Sequence, residues 1–114
     1  MTTAARGDVW RTDFGRPLGR ERGFERPAVV VSADRLHQAG AGVAVVVPLS
    51  TTRRGSPFHI EVEPSAGSGL METSYIRCED VRSVSDRRLV TLLGRVDGVA
   101  LVQVEAILRR LLGL

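Results

Sequence analysis

Arg26 stands directly before Pro27 and the apolar run 28–31. Proline pushes the residue in front of it into extended geometry, so the guanidinium leaves the backbone in a defined direction, where a glycine-rich segment gives way to a strand. An arginine on rigid support suits stabilising charge on phosphoryl oxygens. A second group lies at the end of the apolar run 43–49. Ser50, Thr51 and Thr52 set three hydroxyls beside the guanidiniums of Arg53 and Arg54, and hydroxyls with arginines match phosphate oxygens. Arg16, Arg20 and Arg22 crowd the segment before Arg26. Each group also has a plain alternative. Arg26 can pair on the surface with Glu21 or Glu25, and serine and threonine favour strand ends and turns for their own backbone bonds. The residue types alone leave both options open.

Other chemistries find little support. His37, His59 and Cys78 have no partners at metal-ligand spacing. His59 falls on the polar side of the alternating stretch 58–63, and Cys78 is expected to be a small strand residue. Glu79 and Asp80 are adjacent carboxylates; on a strand they would point to opposite faces, so only one could enter a given site. No nucleophile elbow, P-loop or dinucleotide-binding glycine pattern occurs.

The elements that must position these groups follow from periodicity. "RGDVWRTDF" (6–14) is expected to open with a strand, and 15–26 to form a long loop punctuated by Gly15, Gly19 and Gly23. "PAVVVS" (27–32) and "VAVVVPLS" (43–50) are buried strands by their β-branched runs, with Pro27 at the first position of its strand, where a missing donor is tolerated. A connection with one helical turn joins them. "FHIEVE" alternates with Phe58, Ile60 and Val62 on one side. "TSYIRCEDVRSV" (73–84) is one long strand or two consecutive ones, and 88–96 is another. The tail has apolar residues at 101, 104, 108 and 111, a helical spacing. Asp97 suits its N-cap, Gly113 its left-handed stop, and Glu105 and Arg109 an i,i+4 pair. Six or seven short strands and one helix give a mainly β fold, a small barrel closed by a C-terminal helix, as a single domain over 1–114.

The 114 residues suffice for one core. A net charge of +3 is compatible with a nucleic-acid partner, but every Lys-or-Arg position is arginine, a composition that GC-rich coding also produces. One cysteine excludes an intramolecular disulfide, no apolar run approaches a membrane span, and the N-terminal stretch has no apolar signal region, so a cytoplasmic setting is expected.

Five segments, in order, resemble the MazF/PemK family of toxin endoribonucleases: "RGDVWRTDF", "GRERGFERPAVVVS", "VVVPLSTTRRGSPFHIEV", "CEDVRSVSDRRLV" and "LGRVDGVALVQVEAILRRLLGL". The resemblance covers residues 6–114. It implies an SH3-like barrel with a C-terminal helix, a homodimer, and cleavage of single-stranded RNA without metal or cofactor. The 2′-hydroxyl would attack, leaving a 2′,3′-cyclic phosphate and a 5′-hydroxyl. A MazE-like antitoxin peptide would neutralise the toxin along the same basic groove. Arg26 falls on the family's catalytic arginine, Ser50 where a threonine is usual, and Glu21 on the acid of the first loop, the candidate to take the 2′-hydroxyl proton. Arg16, Arg20, Arg22, Thr51, Thr52, Arg53, Arg54 and Asp80 would contact RNA, Asp80 in place of the usual glutamine. The loop 15–25 is expected to be mobile and to close over RNA. The same barrel builds CcdB-like toxins, which poison gyrase without nuclease activity, and a non-catalytic RNA-binding barrel is a further alternative; fold alone does not separate them.

Overall fold

The computed structural model describes residues 4–16, 19 and 24–114. Seven strands among them, β1 (Asp8–Asp13), β2 (Glu25–Val30), β3 (Val43–Ser50), β4 (His59–Val62), β5 (Ser74–Arg77), β6 (Arg82–Ser85) and β7 (Leu89–Arg95), are joined by the short helix α1 (Asp34–Gln38) and followed by α2 (Gly98–Leu112). All pairings between these strands are antiparallel, in the order β4-β5-β3-β2-β1-β7, with β6 also on β3.

The valine runs are continuous because β2 and β3 are buried on both faces. Val29, Val47 and Leu49 pack with Ile60, Ile76, Val96, Ala100 and Val104 beneath α2. Ala28, Val30, Ala44 and Val46 pack on the opposite face with Phe14, Val84 and Leu89, the interior of the curled sheet. Alternation along a strand assigns neighbours to opposite clusters, so a run with no polar gap is what a two-sided strand requires.

β3 is the shared element. Its first half pairs with β6 and its last two residues with β5. The stretch 73–84 is therefore two strands, separated by a tight 3-10 turn at Cys78–Asp80. Glu79 and Asp80 lie on that turn and not on a strand. Cys78 starts the turn and is fully buried in the cluster under α2.

The barrel is curled rather than closed by a continuous ladder. The register between β1 and β7 slips twice, between Val9 and Trp10 and between Arg11 and Thr12, and such bulges bend a strand. β7 then meets the turn after β4 backbone to backbone. The Arg95 amide donates to the Gly67 carbonyl at 2.8 Å. A Cβ on Gly94 would lie 2.2 Å from the Gly67 oxygen, and one on Gly69 2.0 Å from the Leu93 oxygen. Only residues without side chains fit at this seam.

β2 begins at Glu25, two residues earlier than expected, because the β1 ladder extends to Asp13↔Glu25. Pro27 is thus the third residue of its strand, and the ladder to β3 starts at Ala28, directly after the residue that has no N–H.

In α2, the Asp97 carboxylate accepts from the Ala100 amide at 2.8 Å, and Gly113 ends the helix at φ 69°. Burial of Val104 alone stabilises by about 1.5–3 kcal/mol. The expected Glu105–Arg109 pair is replaced. Glu105 instead accepts from Arg6, which also donates to the Val31 carbonyl. Asp8, 4% exposed, accepts from the Ala5 amide, the Trp10 indole and Arg95. The opening Arg6-Gly7-Asp8 is thereby a clasp between the start of β1 and the end of the chain's β7 and α2. No helix among the described residues is long and apolar enough to cross a membrane.

Candidate functional site

Arg26 sits across the ladder from Thr12 and is exposed, whereas Thr12 is fully buried. On its other side β2 pairs Ala28 with Pro48, Val29 with Val47 and Val30 with Val46. Carried two residues past the last pair, this register sets Arg26 against Ser50. Both continue the even-numbered face whose inner members, Ala28, Val30, Ala44 and Val46, fill the barrel interior. Arg26 and Ser50 thus lie two positions beyond the last ladder pair, Ala28 with Pro48, on neighbouring strands.

Ser50 is the last residue of β3 and is 4% exposed. Its Oγ accepts from the Thr52 amide at 3.1 Å, so the hydroxyl is held by the turn it starts. Thr51, Thr52, Arg53 and Arg54 follow as exposed residues on the same loop.

Arg82 was not singled out from the sequence, and the structure brings it to this end. It pairs across β3 with Val46 and lays its guanidinium 5.4 Å from the Phe14 ring centroid, a cation–π contact. Phe14 lies two residues past Thr12, the ladder partner of Arg26. The alternation of 82–85, with Val84 buried and its neighbours exposed, carried the signal. Asp13 and Glu25 face each other in the ladder as like charges, which is unfavourable. Arg88 offsets this, donating to the Asp13 carbonyl at 3.2 Å and standing 3.9 Å from its carboxylate.

Arg16 is described and exposed, whereas Arg20, Glu21, Arg22 and Gly23 lie outside the described residues, and with them the expectations for a general base and for loop closure.

Asp80 points into an ion-pair cluster of its own. Arg77 Nε lies 3.0 Å from its carboxylate without hydrogen-bond alignment, and Arg77 Nη2 lies 3.6 Å from Glu79. Glu79 also bonds His59 Nε2 at 2.7 Å. Both acids therefore bend towards one arginine, which adjacent residues on a turn can do and residues on a strand cannot. Partial burial pushes the Glu79 carboxyl up, but the His59 hydrogen bond, its own backbone bond and the charges of His59 and Arg77 together bring it below its ordinary value. His59 is on the alternating strand as expected, yet its side chain is only 4% exposed. Burial pushes the Cys78 thiol up to about 11, with the Glu79 charge adding to the shift.

Beyond Ser50, the ladder sets Tyr75 opposite it on β5, and the Tyr75 hydroxyl donates to Glu61 at 3.1 Å. A cavity of about 250 Å³ opens there. Two larger clefts, about 470 and 490 Å³, run along α2 and contain none of the expected RNA contacts.

Comparison with known proteins identifies the family and the fold. Residues 5–112 match the family described as PemK-like, MazF-like toxin of type II toxin–antitoxin system. The chain is 34% identical to Endoribonuclease MazF9 of Mycobacterium tuberculosis over 109 residues, 91% of this chain and 92% of that one. It is 24% identical to Endoribonuclease EndoA of Bacillus subtilis, with 91% and 90% covered. The crystal structure of a MazF from Deinococcus radiodurans shares the fold at a TM-score of 0.86, covering 100% of both chains at 23% identity. A mycobacterial endoribonuclease solved with its cognate antitoxin matches at 0.76, over 100% of this chain and 97% of that one, at 24% identity.

Proposed function

The chain belongs to the family of PemK-like, MazF-like toxins of type II toxin–antitoxin systems and is an endoribonuclease, and we propose that it cuts single-stranded RNA by attack of a ribose 2′-hydroxyl on the adjacent phosphorus. The new O2′–P bond forms as the P–O5′ bond breaks, leaving a 2′,3′-cyclic phosphate and a 5′-hydroxyl. The reaction consumes no water and needs no metal. The observation that supports this reading is the β2–β3 pairing, whose register continued by two residues sets Arg26 opposite Ser50.

In this mechanism Arg26 meets the charge that grows on the non-bridging oxygens. It stays protonated across the working pH range, so it acts as an electrostatic clamp and not as a base. Ser50 orients the phosphate through its fixed hydroxyl. Glu21 takes the 2′-hydroxyl proton, and a solvent water protonates the leaving 5′-oxygen, the proton held by Glu21 returning to solvent. Arg82, Arg53 and Arg54 widen the positive surface along which the backbone runs. The partners are single-stranded RNA, a MazE-like antitoxin that competes for the same arginines, and a second copy of the chain, in the cytoplasm.

The test is incubation of purified protein with a single-stranded RNA in excess EDTA, with mass analysis of both new ends. Cleavage that leaves a cyclic phosphate supports the mechanism. Activity lost in EDTA, or 3′-hydroxyl and 5′-phosphate ends, overturns it.

A further inference from the structure

The cavity beyond Ser50 is lined by Arg53, Gly55, Ser56, His59, Glu61 and Tyr75, and we propose that it is a guanine-recognising subsite for a base next to the cleaved phosphate. The inference rests on the endoribonuclease reading and adds what that enzyme reads.

Position comes first. Tyr75 is the ladder partner of Ser50, so the cavity adjoins Ser50 across a single strand pair. At about 250 Å³ it falls below the roughly 300 Å³ at which sites for drug-sized ligands begin. It suits one base, with sugar and phosphate left on the open surface beside Arg53.

Chemistry narrows the base. Tyr75 supplies an aromatic ring, a platform that any base can stack on. Its hydroxyl donates to Glu61 Oε1 at 3.1 Å, which steadies the carboxylate. His59 is buried, its Nε2 is 2.7 Å from Glu79, and its Nδ1 is buried without a hydrogen-bond partner among the described residues. The cavity thus offers the Glu61 carboxylate as an acceptor and the Arg53 guanidinium as a donor.

Guanine matches this set. Its N1–H and N2 amine are adjacent donors that one carboxylate accepts together, and its O6 and N7 are acceptors that a guanidinium reads. Adenine sets its amine beside the N1 acceptor, which a carboxylate repels. Uracil has one donor flanked by two carbonyls. Cytosine has its amine but no second donor beside it.

The experiment measures binding separately from cleavage. Uridine heptamers with 2′-deoxy sugars throughout cannot be cut by 2′-hydroxyl attack. They carry at the centre guanine, inosine, adenine or uracil, and are titrated by fluorescence anisotropy. The guanine heptamer is expected to bind about tenfold tighter than the uracil one. Inosine, which lacks only the N2 amine, should lose most of that gain. Glu61→Gln should remove the guanine preference and leave the uracil heptamer unchanged, while Tyr75→Ala should weaken every heptamer. Unchanged melting temperatures report that the variants are folded. Equal binding of all four heptamers to wild-type protein, or a Glu61→Gln loss shared equally by all four, overturns the subsite. The nuclease reading fails separately. A protein that prefers the guanine heptamer but leaves its all-ribose counterpart intact keeps the subsite and loses the nuclease. One that cuts RNA with no dependence on Glu61 does the reverse.

Discussion

Arg26 and Thr12 are partners across the β1–β2 ladder, one exposed and the other completely buried, with the Thr12 hydroxyl spent on the Trp10 carbonyl at 3.0 Å. The backbone beneath Arg26 is fixed on one side by a saturated neighbour, while its guanidinium reaches solvent. Function and stability should separate at this position. Arg26→Ala is expected to lower the cleavage rate by about 10²–10³, the loss typical of one transition-state donor, and to change stability by less than about 1 kcal/mol. Arg26→Lys should rescue little, because an ammonium offers a point charge in place of a planar fork. Single-turnover cleavage and urea unfolding of the same samples check both halves. Near wild-type cleavage by Arg26→Ala would place the phosphate elsewhere.

Asp8 predicts the opposite pattern. Its nearly buried carboxylate accepts three hydrogen bonds, one from Arg95 at 2.5 Å. Asp8→Ala leaves three donors behind and should destabilise by about 2–3 kcal/mol. Activity per folded molecule should persist, since Asp8 is far from Arg26 in the ladder. Denaturant midpoints with cleavage measured well below the transition test this. An unchanged midpoint would show that the clasp contributes nothing.

Glu79 ties stability to acid. Its folded-state carboxyl lies below the ordinary value of 4.5, so the folded protein holds this proton less readily than the unfolded chain does. Its contribution is complete above about pH 4.5 and is lost as pH falls through the lower folded-state value. Glu79→Gln should therefore be less stable than wild type at pH 7, and the gap should close on acidification below 4.5. Thermal melts from pH 7 to 3 read the difference. A gap that stays constant with pH would remove the pairs with His59 and Arg77 as its cause.

Cys78 should be silent in the native state. Its thiol is fully buried and pushed up to about 11, and the thiolate is the reactive form. Alkylation by iodoacetamide at pH 8 should be slower than for an unfolded control by orders of magnitude. It should accelerate in step with urea unfolding. Rapid labelling of the folded protein would mean that the turn at Cys78–Asp80 opens locally.

Much of this architecture was legible because local rules govern it. Asp97 and Gly113 bound α2 as helix ends always require, and the unbroken valine runs announced strands buried on both faces. The misses share a different cause. Glu105 looked paired with Arg109 because helical spacing compares a residue only with its own helix, whereas its partner Arg6 is 99 residues away. His59 looked like a solvated alternate position, but Glu79 from the next turn covers it. The first strand pair runs on to Glu25, so β2 starts before its own apolar run does. At the site, the sequence showed Arg26 and Ser50 as separate cues. Only the β2–β3 pairing puts their strands side by side, and only the β6–β3 pairing brings Arg82 against β3.

The clasp formed by Arg6 and Asp8 has a consequence for when the enzyme exists. The first strand leans on β2 and on β7, and its flanking residues are tied to Arg95 and Glu105. A ribosome that has translated Arg26 and Ser50 has made the site's chemistry, but the wall behind it is still unsynthesised. Until β7 and α2 emerge from the exit tunnel, β1 lacks one edge partner and half of its core lacks a lid. Nascent chains arrested at residue 96 should be sensitive to protease throughout β1 and should cut no RNA, with resistance and cleavage arising together once α2 is free.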